Sequence, residues 1–213
     1  PPRRRRLARA LIEARRVLGA DPAEFERVSA LAAGIPRFLA RDYLLNTTAD
    51  REALALFDVT GGDALAEALA AERGAVLVGG HFGGHVAAFH WLYRSGVPLR
   101  LMVQRPKHVS AALDAFFDRE EAGPDPQSGY FLSRSLNPAE CVARMIRARA
   151  ALRSGRAVYF PGDVPWSSPN TRTGRLLGRT QRLLSVWADL AALTGAPAFF
   201  VFCSHRPGGR FAL

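Results

Sequence analysis

The sequence predicts an α/β protein: a three-layer α/β/α sandwich with a mainly parallel sheet, preceded by N-terminal helices. Three observations carry that prediction. Short apolar runs at residues 75–78, 99–103, 157–160 and 198–203 have the length and composition of buried strands. Segments with helical spacing separate them, and strands that alternate with helices build parallel sheets with both faces covered. Glycine and proline punctuate the junctions, as at Ser95-Gly96-Val97-Pro98 and Thr194-Gly195-Ala196-Pro197. With 213 residues and 48% hydrophobic content, the chain can bury one well-formed core.

In order, residues 3–18 form a basic amphipathic helix with Leu7, Leu11, Ile12 and Leu18 among arginines. Pro22 opens a second helix over 22–33, broken by Gly34-Ile35-Pro36, and helical character resumes over 37–57. A short helix at 63–71 ends at Gly74, which feeds the strand at 75–78. The next helix carries Val86, Ala87, Ala88, Phe89, Trp91 and Leu92. Residues 109–121 form a helix with Leu113, Phe116 and Phe117 on one side, and 122–137 read as an exposed loop. A helix begins at Asn137-Pro138-Ala139-Glu140 and runs to Arg153; after the strand at 157–160, residues 164–182 read as a long Arg- and Ser-bearing loop before a helix over 184–194. The division expected is a helical part at 1–57 and an α/β core at 58–213. Phe211-Ala212-Leu213 reads as the start of a strand, and the missing initiator Met predicts sequence upstream.

The net charge is +10, carried almost wholly by arginine, since Lys107 is the only lysine. A pI near 11.0 points to anionic partners: phosphorylated metabolites, an anionic membrane surface or nucleic acid. No helix-turn-helix, zinc-finger or aromatic RNA-binding motif is present, so nucleic acid is not an expected partner. Cys141 and Cys203 lack metal-ligand spacing and read as free thiols of a reducing compartment. No run approaches the roughly 18 apolar residues of a membrane span.

The stretch Val78-Gly79-Gly80-His81-Phe82-Gly83-Gly84-His85 is a strand end, a glycine-rich turn and a helix start. It sets His81 at the carboxyl end of a strand, the edge where open α/β sheets bind ligands. Gly80, Gly83 and Gly84 lack a Cβ, so a substrate is expected to approach the backbone closely there, beside Phe82 and His85. Asp163 follows another strand in Phe160-Pro161-Gly162-Asp163 and faces the same edge if the strands are parallel.

These pieces, with Asp63-Ala64-Leu65, Leu177-Gly178-Arg179 and Leu190-Ala191 in the same order, resemble the lipid A late acyltransferases (lauroyl and myristoyl acyltransferases). That family lies within the wider glycerolipid acyltransferases, and the resemblance covers residues 55–213. It implies transfer of a fatty acyl group from an acyl thioester, on acyl-carrier protein or CoA, to a lipid or glycolipid acceptor. The implied place is the cytoplasmic face of the inner membrane, with an anionic membrane surface as partner. No metal or redox cofactor is implied. In the family the histidine of an H-x4-D/E motif is general base and the carboxylate orients it.

Counting from His81, the motif carboxylate falls on Val86, which cannot accept a hydrogen bond. Three readings follow. Asp163 substitutes in space; His85 or a backbone carbonyl orients His81; or the chain binds acyl chains or lipid without turnover. His81 and His85 also stand at i, i+4, but Phe82 replaces the glutamate of a zinc-binding helix, so no metal site is expected. Arg175, Arg179 and Arg182, with Arg105 on the same rim, are expected to meet phosphate, for which the guanidinium fork is suited.

Overall fold

The computed structural model describes residues 45–105, 111–133, 136–163, 171–176 and 179–213. The helices expected at 3–18 and 22–33, and residues 37–44 of the third, lie outside the described residues. The elements are α1 (Asp50–Leu54), β1 (Phe57–Asp58), α2 (Gly62–Ala70), β2 (Ala75–Gly79), α3 (His85–Arg94), β3 (Leu99–Leu101) and α4 (Ala111–Glu121). They continue as α5 (Pro138–Arg153), β4 (Ala157–Pro161), β5 (Thr171–Leu176), β6 (Arg179–Leu184), α6 (Val186–Thr194), β7 (Ala198–Phe200), β8 (Ser204–His205) and β9 (Phe211–Ala212).

The main sheet runs β3-β4-β2-β7, and every pairing in it is parallel. All five residues of β2 and of β4 are buried, because helices cover both faces. On one face Val76, Val78, Val158 and Phe160 pack against Ala148 and Leu152 of α5 and Leu190 of α6. On the other, Leu77 and Tyr159 pack against Leu65 of α2, Leu92 of α3 and Phe116 and Phe117 of α4. This is the α/β/α layering the alternating pattern predicts. The start of α5 is fixed by a capping box: the Asn137 side chain accepts the Glu140 N–H at 2.9 Å, and Glu140 accepts the Asn137 N–H at 2.8 Å.

Three segments differ from the sequence reading. Helix α1 ends at Leu54, and Phe57 instead enters a strand that pairs in parallel with β9, its ring 4.9 Å from that of Phe211. Within 122–137, Gln127 is fully buried, donating to the Leu101 carbonyl at 2.9 Å and accepting the Leu101 N–H at 3.2 Å. Its amide thus stands in for a neighbouring strand along the edge of β3, a role that composition does not reveal. The expected loop at 164–182 contains most of an antiparallel hairpin, β5–β6, paired from Thr171↔Leu184 to Leu176↔Arg179. Much of that hairpin is exposed, so it carries no alternation of apolar residues to announce it.

His90 of α3 is fully buried, its Nδ1 2.8 Å from the Tyr93 hydroxyl. Burial, and then the neighbouring Arg94 charge, lower its pKa to about 4. The folded value lies below the unfolded one, so the contribution to stability is complete above about pH 6.5 and is lost as pH falls toward 4. Between pH 7 and pH 4, unfolding midpoints in urea should fall by the equivalent of about 3 kcal/mol from this group. The variant His90→Phe should show a visibly shallower loss over that window, and an unchanged slope would exclude His90 as its source.

Candidate active site

The ladder between β2 and β4 runs without stagger from Ala75↔Ala157 to Gly79↔Pro161. Two residues beyond that last pair, on each strand, stand His81 and Asp163. Parallel register therefore delivers the imidazole and the carboxylate side by side at the carboxyl edge of the sheet. The Gly162 N–H prolongs the pairing by donating to the Gly79 carbonyl at 2.7 Å.

Asp163 holds His81 at two points. Its Oδ1 lies 3.0 Å from His81 Nδ1, and its Oδ2 accepts the His81 backbone N–H at 2.6 Å. A carboxylate is acceptor-only, so Nδ1 must carry the proton it shares with Oδ1, which leaves Nε2 with its lone pair. The His81 side chain is 61% exposed and that of Asp163 30%. The ring is thus largely open to solvent while the carboxylate is partly shielded. Val86, the second residue of α3, is partly buried and takes no part in this pairing.

What approaches the glycines is the protein itself. A Cβ at Gly80 would strike the Phe82 ring and come within 3.1 Å of the Asp163 carboxyl carbon. Gly83, at φ +59°, has the Cys203 carbonyl where a Cβ would go. Gly84 donates its N–H to that carbonyl at 2.8 Å, and Cys203 Sγ occupies its open side. The glycines thus let the turn fold tightly on the strand end and on Cys203. Tyr159 of β4, which sequence inspection leaves as core, fills the space beside Gly79 with its hydroxyl. Burial and then the Asp163 charge raise its pKa, so the hydroxyl stays protonated.

His85 is the first residue of α3, its ring 5.4 Å from that of His81 and tilted by 54°. The ring is partly buried, and Nδ1 is enclosed without a hydrogen-bond partner among the described residues. Burial, and then the neighbouring His81, lower its pKa, so the ring is neutral at pH 7.

From Phe82 an aromatic strip follows the free edge of the sheet. Phe82 stacks on Phe202 at 5.4 Å, Phe202 on Phe200 at 6.3 Å, and Trp187 meets Phe200 edge-on at 5.7 Å. Phe82, Phe200 and Phe202 are about half exposed, an unusual amount for three linked rings. Phe200 and Phe202 also line a cavity of about 190 Å³, which shares Val59, Leu65 and Trp91 with a neighbouring cavity of about 450 Å³. A spacing argument cannot find this strip, because it joins residues about 120 positions apart.

Arg105 follows β3, with its guanidinium 5.9 Å from the Phe131 ring. Arg175 and Arg182 are exposed on the β5–β6 hairpin, and the register Thr173↔Arg182 sets them on one face of it. Arg182 donates to the Thr171 hydroxyl at 3.0 Å, and Arg179 opens β6 opposite Leu176. Among the described residues no group of three or more His, Cys, Asp or Glu is arranged to hold a metal ion. No described helix is long and apolar enough to cross a membrane.

No curated protein matches the sequence. The model of a family described as bacterial lipid A biosynthesis acyltransferase, however, matches residues 3–213. That match spans nearly the whole chain and includes both strand ends that carry the dyad, Gly79-Gly80-His81 and Pro161-Gly162-Asp163. On a fold of parallel α/β type with a histidine and a carboxylate paired at the sheet's carboxyl edge, it settles the family: the chain is a member of the bacterial lipid A biosynthesis acyltransferases.

Proposed function

We propose that this chain transfers a fatty acyl group from an acyl thioester, on acyl-carrier protein or CoA, to a hydroxyl of a phosphorylated lipid or glycolipid at the inner membrane surface. The observation that carries the reading is the double hold of Asp163 on His81, at 3.0 Å through Nδ1 and 2.6 Å through the backbone N–H. An alcohol attacks a thioester only when its proton has somewhere to go. His81 Nε2 takes that proton as the acceptor oxygen bonds to the carbonyl carbon, and the C=O pair moves to oxygen. The tetrahedral intermediate collapses with loss of thiolate, which recovers the proton from the imidazolium. Asp163 stabilises the imidazolium in between. The step balances with the two substrates alone.

The aromatic strip and its adjoining cavities give an acyl chain an apolar path that begins beside the base. Arg175, Arg179, Arg182 and Arg105 are placed in this reading on the acceptor's phosphates and the anionic surface. Purified protein supplied with a fatty acyl thioester and a lipid A precursor should release thiol only when the acceptor is present. Absence of release, with acyl-chain binding retained, would instead establish the alternative reading of a non-catalytic binder. The variant Val86→Glu separates the two further. Both N–H groups it would serve are already bound to Asp163, so turnover should stay essentially unchanged. A large gain would mean that the native chain is impaired for want of the motif acid.

A further inference from the structure

We infer that His85 is the hydrogen-bond donor that holds the carbonyl oxygen of the acyl thioester as it becomes an oxyanion. This rests on the acyl-transfer reading above. Three backbone N–H groups around the turn are already engaged: His81 with Asp163, Gly84 with Cys203, and Gly162 with Gly79. Asp163 also relieves His85 of any need to orient the base. Beside them stands the His85 imidazole, whose Nδ1 is enclosed and unpartnered among the described residues, and whose Nε2 makes no hydrogen bond among them either.

An enclosed N–H without an acceptor is among the rarest arrangements in folded proteins, whereas a bare acceptor is tolerated more readily. The proton therefore belongs on Nε2, and the ring offers one donor on its more open side. Geometry places that donor usefully. A general base works at about 2.6–3.2 Å from the oxygen it deprotonates, and an oxyanion donor at about 2.7–3.1 Å from the developing charge. Two imidazoles with centroids 5.4 Å apart can flank one tetrahedral carbon, the first on the attacking oxygen and the second on the oxyanion. The N-terminus of α3, which His85 begins, adds its positive end to the same place. The site class is a neutral donor for a thioester carbonyl, with nothing consumed: the N–H donates throughout and keeps its proton.

The test compares His85→Leu, which removes the donor, with His85→Gln, which keeps an N–H at similar reach. His85→Leu should lower kcat about 10²–10³-fold with KM little changed, and His85→Gln should restore most of the loss. A second readout needs no turnover. A long-chain trifluoromethyl ketone mimics the tetrahedral oxyanion, and its methyl ketone counterpart does not. His85→Leu should weaken the first about 10²-fold or more and leave the second unchanged. The inference is overturned if His85→Leu keeps kcat within about threefold of native, or raises KM alone. It is equally overturned if both ketones lose affinity alike, which is also how a merely folded-state defect would register. Failure of the wider reading looks different: native protein and His81→Ala would then both leave thioester intact. Native turnover that His81→Ala abolishes and His85→Leu spares removes only the role of His85.

Discussion

Asp163→Asn is expected to lower kcat for acyl transfer about 10³-fold while leaving the fold intact. The reason lies in the two oxygens. Each accepts from a different N–H of His81, one backbone and one ring, at 2.6 and 3.0 Å. An amide has a single oxygen, so one of the two donors must face an NH₂. If the backbone N–H keeps the oxygen, the ring is pushed to the tautomer with its proton on Nε2, where it can no longer act as base. The corresponding amide in a buried serine-protease triad costs about 10⁴. A smaller loss is expected here because the Asp163 side chain is 30% exposed and water can solvate part of the mismatch. The measurement is thiol release under saturating donor and acceptor, with thermal unfolding as the control for integrity.

His81→Ala is expected to cost more, about 10³–10⁴-fold in kcat, with donor binding retained. The side chain is 61% exposed and buries little apolar area, so its removal should barely move stability. The loss is then chemical. Added imidazole should restore a fraction of turnover, since the space vacated above Asp163 is open to solvent. Rescue by imidazole in His81→Ala but not in Asp163→Asn would separate loss of the base from loss of its orientation.

Much of this was legible in the residues. The strand at β2 reads from Ala75-Val76-Leu77-Val78 because a strand buried on both faces must be apolar throughout. That reading also locates His81 at the sheet edge, and parallel pairing then makes Asp163 its natural neighbour. What sequence cannot supply is register. A shift of one residue between β2 and β4 would turn the two side chains to opposite faces, and only the ladder ending at Gly79↔Pro161 shows that they agree. The turn glycines were legible as necessary, but not the reason: Cys203, over 100 positions away, occupies the space they leave. The β5–β6 hairpin escaped for a different cause. A two-stranded ribbon with most of its described residues exposed has no continuous buried face, so Arg and Thr there read as loop. Gln127 escaped because a buried glutamine that completes a strand edge looks, in sequence, like any polar loop residue.

On the proposed reading Asp163 does the work of the absent motif carboxylate by holding His81 through Nδ1. Nitrogen-15 NMR of the ring reads that directly. His81 should carry its proton on Nδ1, hydrogen-bonded, with Nε2 bare, and Asp163→Asn should abolish this pattern. A proton on Nε2 in the native protein, or a spectrum that Asp163→Asn leaves unaltered, would contradict it.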